Sequence, residues 1–150
     1  VNFKNYYSRN YFFRAREGFE VLEVPATVKI KTGFPRLAEF MYLNTPHWAH
    51  AEGILRRLVN FNIIWLDPSF NSYEDMKWAC DALLYDGAQH LSISFHSSVI
   101  IPGGTPYTMT IESVNAFFER LGRLLDYLLK VKGLESVMLK DFYNYRSNLN

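Results

Sequence analysis

Short apolar runs alternate in this chain with stretches whose apolar residues recur every three or four positions. The runs are FEVLEVPATVKI (19–30), FNIIWL (61–66), HLSISF (90–95) and LESVMLKDFY (134–143). Each has strand character from β-branched and apolar residues, and Pro25 limits ladder pairing in the first. Between them fall helical patterns. Strand, helix, strand, helix, strand, helix, strand is an order that predicts an α/β fold with a parallel sheet and right-handed crossover helices. About four strands is too few for a closed barrel of the usual eight. An open sheet, or part of a larger barrel, is therefore expected. Phe61, Ile63, Trp65, Leu91, Ile93 and Phe95 are expected to line that sheet.

The helix boundaries are written in their caps. Thr45-Pro46 starts a helix that runs to about Val59, with Ala49, Ile54, Leu55 and Leu58 inward. A shorter helix is expected over 36–43. Ser72 caps the next, with Glu74 and Asp75 in the first turn where negative charge suits the dipole. Its apolar set is Met76, Ala79, Cys80, Leu83 and Leu84, and Gly87 ends it. Thr110 caps the third, whose stripe is Val114, Phe117, Phe118, Leu121, Leu124, Leu125 and Leu128, closed by Gly133.

Composition narrows the function classes. A net charge of +1 gives no electrostatic preference for nucleic acid or an anionic membrane. A hydrophobic share of 49% excludes a disordered chain, and 150 residues suffice for a real core. The single Cys80 excludes an internal disulfide and a multi-thiolate metal site, which fits a reducing, cytoplasmic compartment better than a secreted one. No apolar stretch is long enough to span a bilayer. The opening VNFKNYYSRNYFFRAREG has neither an initiator Met nor a signal core, so the chain is expected to be cut from something longer.

The chemistry concentrates in LSISFHSSVIIPGGTPYTMT (91–110). An apolar run ends in His96, two serines follow, and a Pro-Gly-Gly-Thr-Pro turn precedes a helix. Ligands of α/β sheets sit outside the carboxyl ends of strands. Imidazole titrates near neutrality, so His96 is read as a general acid or base, against a purely structural strand-end histidine. Ser97 and Ser98 lack a Gly-x-Ser-x-Gly elbow, so they are read as substrate-binding or capping hydroxyls, with a serine hydrolase as a remote alternative. Asp67 ends the preceding run, where a carboxylate could orient His96 and favour its protonated form; Asp67-Pro68 could equally just begin a turn. His47 and His50, spaced i, i+3, form a possible pair of metal ligands with no third nearby. Tyr6, Tyr7, Tyr11, Phe12 and Phe13 could stack on sugars or simply pack, and Glu23 could point into a site or be buried with a basic partner.

The segment LSISFHSSVIIPGGTPYTMTIESVNAFFERLGRLLDYL resembles the C-terminal part of NodB-like polysaccharide deacetylases, of the type found beside bacterial exopolysaccharide glycosyltransferase genes. VLEVPAT, WLDPSFNSYEDM and LESVMLKDFY add to the likeness, which covers most of 19–143. The resemblance implies part of a distorted (β/α) barrel. It also implies hydrolysis of N- or O-acetyl groups on a polysaccharide with a divalent metal, commonly zinc. His96 matches the family's late histidine, the general acid on the leaving group, and Asp67 matches the acid that supports it. Ser97 and Tyr107 fall where substrate would be held.

The family's Asp-Asp pair and His-x-x-x-His pair, which supply the base and the metal ligands, have no counterpart here. Residues 1–150 are thus expected to be the C-terminal portion of one deacetylase domain, lacking the metal-site portion. Such a chain is expected to be inactive alone, with no metal of its own. Its partners would be the polysaccharide substrate and the missing N-terminal portion. The alternative is a non-catalytic carbohydrate-binding or partner-docking domain of the same fold.

Overall fold

The structure, a computed structural model of the chain, describes residues 11–14, 18, 20–33 and 62–147. The helices expected over 36–43 and 45–59, with His47, His50, Tyr6 and Tyr7, lie outside the described residues.

Two short antiparallel sheets replace the expected parallel one. Strand β1 (Tyr11–Arg14) pairs with β2 (Glu20–Glu23), Tyr11 opposite Glu23 and Arg14 opposite Glu20. Strand β3 (Val28–Lys31) pairs with β4 (Asn62–Trp65), Val28 opposite Trp65 and Lys31 opposite Asn62. Among the described residues no parallel pair occurs. The α/β parallel sheet with crossover helices, and with it the part-barrel of the NodB type, is therefore not what the described residues form. A physical reason lies in β3. Parallel strands are buried on both faces and read as continuous apolar runs, whereas VKIK alternates. Lys29 and Lys31 reach over to Asp86 and Asp75, as a half-covered antiparallel strand permits.

The run at 19–30 is two strands in two sheets. Pro25 has no N–H to give a ladder, and residues 24–27 leave it between β2 and β3. The run at 90–95 joins no strand. Its Ser94 N–H reaches the Leu66 carbonyl at 3.1 Å, but its Ser92 N–H goes to the Thr27 hydroxyl at 2.6 Å. A side chain thus takes the place of a ladder carbonyl and pairing does not propagate. The last expected strand is partly a helix, α3 (Leu139–Ser147). With Val137 its one β-branched residue, the 134–143 stretch has little to favour extension. One turn apart on α3, Phe142 and Arg146 both turn to the 89–90 segment: Phe142 meets His90 at 5.8 Å and Arg146 bonds Gln89 at 2.8 Å.

The two remaining helices follow their caps. Helix α1 (Tyr73–Tyr85) starts where Ser72 accepts the Asp75 N–H at 3.1 Å. It ends where Gly87, at φ +83°, lets the Gly87 and Ala88 N–H groups return to Leu84 and Leu83 carbonyls. Helix α2 (Ile111–Asp126) opens with a reciprocal box between Thr110 and Ser113. It widens into one π-helical segment, Tyr127–Val131.

The core is a cluster of Ile64, Leu66, Met76, Ala79, Cys80, Leu124, Tyr127 and Leu128, which fixes α1 and α2 against β4. Burying each large aliphatic side chain contributes about 1.5–3 kcal/mol. The inward face of β4 is opposite to the one expected. Ile64 and Leu66 are buried, while Trp65 is 42% exposed, the consequence of a period of two read one residue out of phase. On α2 only part of the expected stripe is covered: Val114, Phe117, Leu124 and Leu128 are buried, and Phe118 and Leu125 are exposed.

Candidate functional site

His96 lies between two anchors. Before it, Phe95 meets Phe117 of α2 edge-on at 5.0 Å. After it, Val99 is buried. His96 itself precedes a single 3₁₀ turn, Ser97–Ile100, in extended conformation, and its carbonyl accepts the Val99 N–H at 3.1 Å. Its side chain is exposed, as is Ser97, while Ser98 is half-buried. The imidazole is thus presented to solvent from a backbone pinned on both sides.

The Pro-Gly-Gly-Thr-Pro segment folds into a tight knot. Gly103, at φ +78°, donates its N–H to the Thr108 carbonyl at 2.9 Å, and left-handed backbone there suits glycine. The Gly104 N–H reaches the Ile101 carbonyl at 2.8 Å, and any Cβ on Gly104 would sit 2.2 Å from the Ser98 carbonyl oxygen. Thr105 and Thr108 hydroxyls bond at 2.8 Å, with Thr108 buried. Both glycines are therefore needed to fold the loop back on the turn that follows His96.

Asp67 sits in a turn of its own. Its carboxylate accepts the Ser69 N–H at 2.8 Å and the Ser69 hydroxyl. Its carbonyl accepts the Asn71 N–H at 3.2 Å, and the Asn71 amide donates back to the Trp65 carbonyl at 3.0 Å. The Leu66–Ser94 hydrogen bond brings the two backbones side by side just before Asp67 and Phe95. Among the described residues, however, the Asp67 carboxylate bonds Ser69 and not His96.

Tyr107 leads to a cleft that the sequence did not announce. A hollow of about 440 Å³ opens between the 69–74 segment, which is the turn before α1 and its first two residues, and α2. Phe70 and Tyr107, both about half exposed, line it and pack against each other at 5.4 Å. Arg120 and Arg123, one turn apart on α2, supply its cationic side. The Arg120 Nε donates to the Pro68 carbonyl at 2.7 Å. The Arg123 guanidinium stacks on Tyr73 at 4.0 Å and reaches Glu74 at 3.2 Å. The available signal was Phe70, an aromatic inside a Pro-Ser-Phe-Asn-Ser turn, where burial does not call for one.

The remaining titratable groups point elsewhere. His90 is half-buried; burial lowers its pKa, partly offset by a bond with the Pro25 backbone. The hollow beside it, about 10 Å³, has room for about one water. Among the described residues no group of three or more His, Cys, Asp or Glu could hold a metal ion. Also among them, no helix is long and apolar enough to cross a membrane.

Compared with known proteins, the chain matches no family model, no curated protein and no solved structure.

Proposed function

We propose that this chain carries the leaving-group end of a carbohydrate deacetylase site. In this reading His96 gives a proton to the sugar nitrogen or oxygen as its bond to the acetyl carbon breaks. The acetyl group leaves as acetate with an oxygen from water. Ser97 and Tyr107 hold the sugar, and the Phe70–Tyr107 cleft receives neighbouring units of the chain. The observation that carries the reading is the exposed imidazole of His96 between the Phe95–Phe117 ring contact and the buried Val99, beside a loop stiffened by its own hydrogen bonds. A proton donor must be accessible, and the exposure of His96 supports that role.

A second reading has its own support. In it the aromatic cleft alone would contact the sugar, and Asp67 is bonded to Ser69 rather than His96. That favours a carbohydrate-binding domain without catalysis. Acetate release from acetylated oligosaccharides by the full-length protein separates the two. His96→Ala is expected to lower kcat by about 10²–10⁴-fold, the range for a general acid, with metal content unchanged. Full activity in that variant would remove the role given to His96.

A further inference from the structure

We propose that the cleft between the 69–74 segment and α2 binds an acidic sugar unit, one bearing a carboxylate. The inference rests on the glycan reading above and names the kind of glycan. The cleft volume of about 440 Å³ falls within the ~300–1,000 Å³ of small-molecule sites. Its lining combines two chemistries. Phe70 and Tyr107, 49% and 57% exposed and packed together at 5.4 Å, offer aromatic surface to which the apolar C–H face of a pyranose can be applied.

The same cleft is lined by two guanidinium groups, those of Arg120 and Arg123. Arg120 is held by one bond only, from Nε to the Pro68 carbonyl. Its terminal nitrogens make no other described hydrogen bond, so a pre-positioned pair of donors remains for a planar carboxylate. Arg123 is fixed by its stack on Tyr73. Its ion pair with Glu74 has both partners well exposed, at 50% and 71%. Such pairs contribute little, so an incoming carboxylate can replace Glu74 without a large penalty. Two cations against the single anion Glu74 leave the lining positive by one charge. A neutral sugar would leave the Arg120 fork unanswered.

The test compares two tetrasaccharides by calorimetry on the full-length protein. One alternates glucuronate and N-acetylglucosamine, and the other is neutral chitotetraose. The acidic one is expected to bind at least about tenfold more tightly, the contribution of one charge-assisted hydrogen bond. Arg120→Gln should erase the preference, Arg120→Lys should restore only part of it, and Phe70→Ala should weaken both ligands. If Arg120→Gln fails to fold, the exposed Arg123→Gln reads the same preference. Equal binding of the two ligands by the unaltered protein, or a preference that survives both Arg→Gln changes, overturns the proposal. Acetate release is scored separately. A preference without acetate release removes the deacetylase reading and leaves the acidic-sugar site standing; release without preference removes only this site.

Discussion

Asp81 is the most heavily bonded side chain among the described residues. Its carboxylate receives Lys132 Nζ at 2.6 Å, Lys77 Nζ at 3.0 Å and the Tyr127 hydroxyl at 2.5 Å. Burial pushes its pKa up, but the bonds from Lys132, Tyr127 and Lys77 outweigh burial and hold it at about 2. An unfolded Asp titrates near ~3.9. The folded value is lower, so the stabilisation is fully present above that pH and is lost as pH falls toward about 2. Thermal unfolding followed between about pH 5 and pH 2 should therefore show a loss of Tm that Asp81→Asn flattens. An unchanged slope in Asp81→Asn would show that the cluster does not govern acid stability. Nothing in the sequence marked this residue. It faces Tyr127 and Lys132, 46 and 51 positions away, only because α1 packs on the end of α2.

At the scale of elements, local signals were legible and long-range ones were not. The starts of α1 and α2 follow from Ser72 and Thr110, since a cap is an interaction across three residues. Strand pairing depends on partners far along the chain. The apolar runs at 19–30 and 90–95 therefore look alike in sequence, yet one forms two strands and the other none. Alternation of element types gave a topology rule in place of contacts, and the rule failed on β3 and β4. The loop at 96–108 was recognisable from His96 and its glycines, whereas the Phe70–Tyr107 cleft needed the 69–74 segment to meet α2. The loop also gives a sharp structural test. Gly104→Ala puts a methyl 2.2 Å from a backbone oxygen that cannot turn aside. It should cost about 1–3 kcal/mol, as overpacking does, seen as a lower unfolding midpoint. Amide shifts should move through 98–108. A variant of unchanged stability and spectrum would show the knot to be looser than its hydrogen bonds imply.

The whole molecule leaves much apolar surface uncovered among its described residues. Ile111, Phe118, Leu125 and Leu129 recur along α2 at spacings of seven, seven and four and are all exposed. Ile100, Ile101 and Met109 of the adjoining loop are exposed too. Contiguous apolar surface of this kind favours association, and both two-stranded sheets have edges to pair. Residues 1–150 alone should therefore self-associate in sedimentation runs at micromolar concentration; a monodisperse, cooperatively unfolding monomer would contradict this. The role proposed for His96 is narrower: to protonate a sugar leaving group. Its most direct test is the dependence of the His96→Ala defect on the leaving group, measured in the full-length protein. From an acetylated sugar the leaving group is the sugar amine or alkoxide, a strong base that needs the proton; from nitrophenyl acetate it is nitrophenolate, a weak base that does not. The account expects His96→Ala to slow acetate release from the acetylated oligosaccharide by about 10²–10⁴-fold, with the aryl ester almost unaffected. Equal losses on both substrates, or no loss on either, would contradict it.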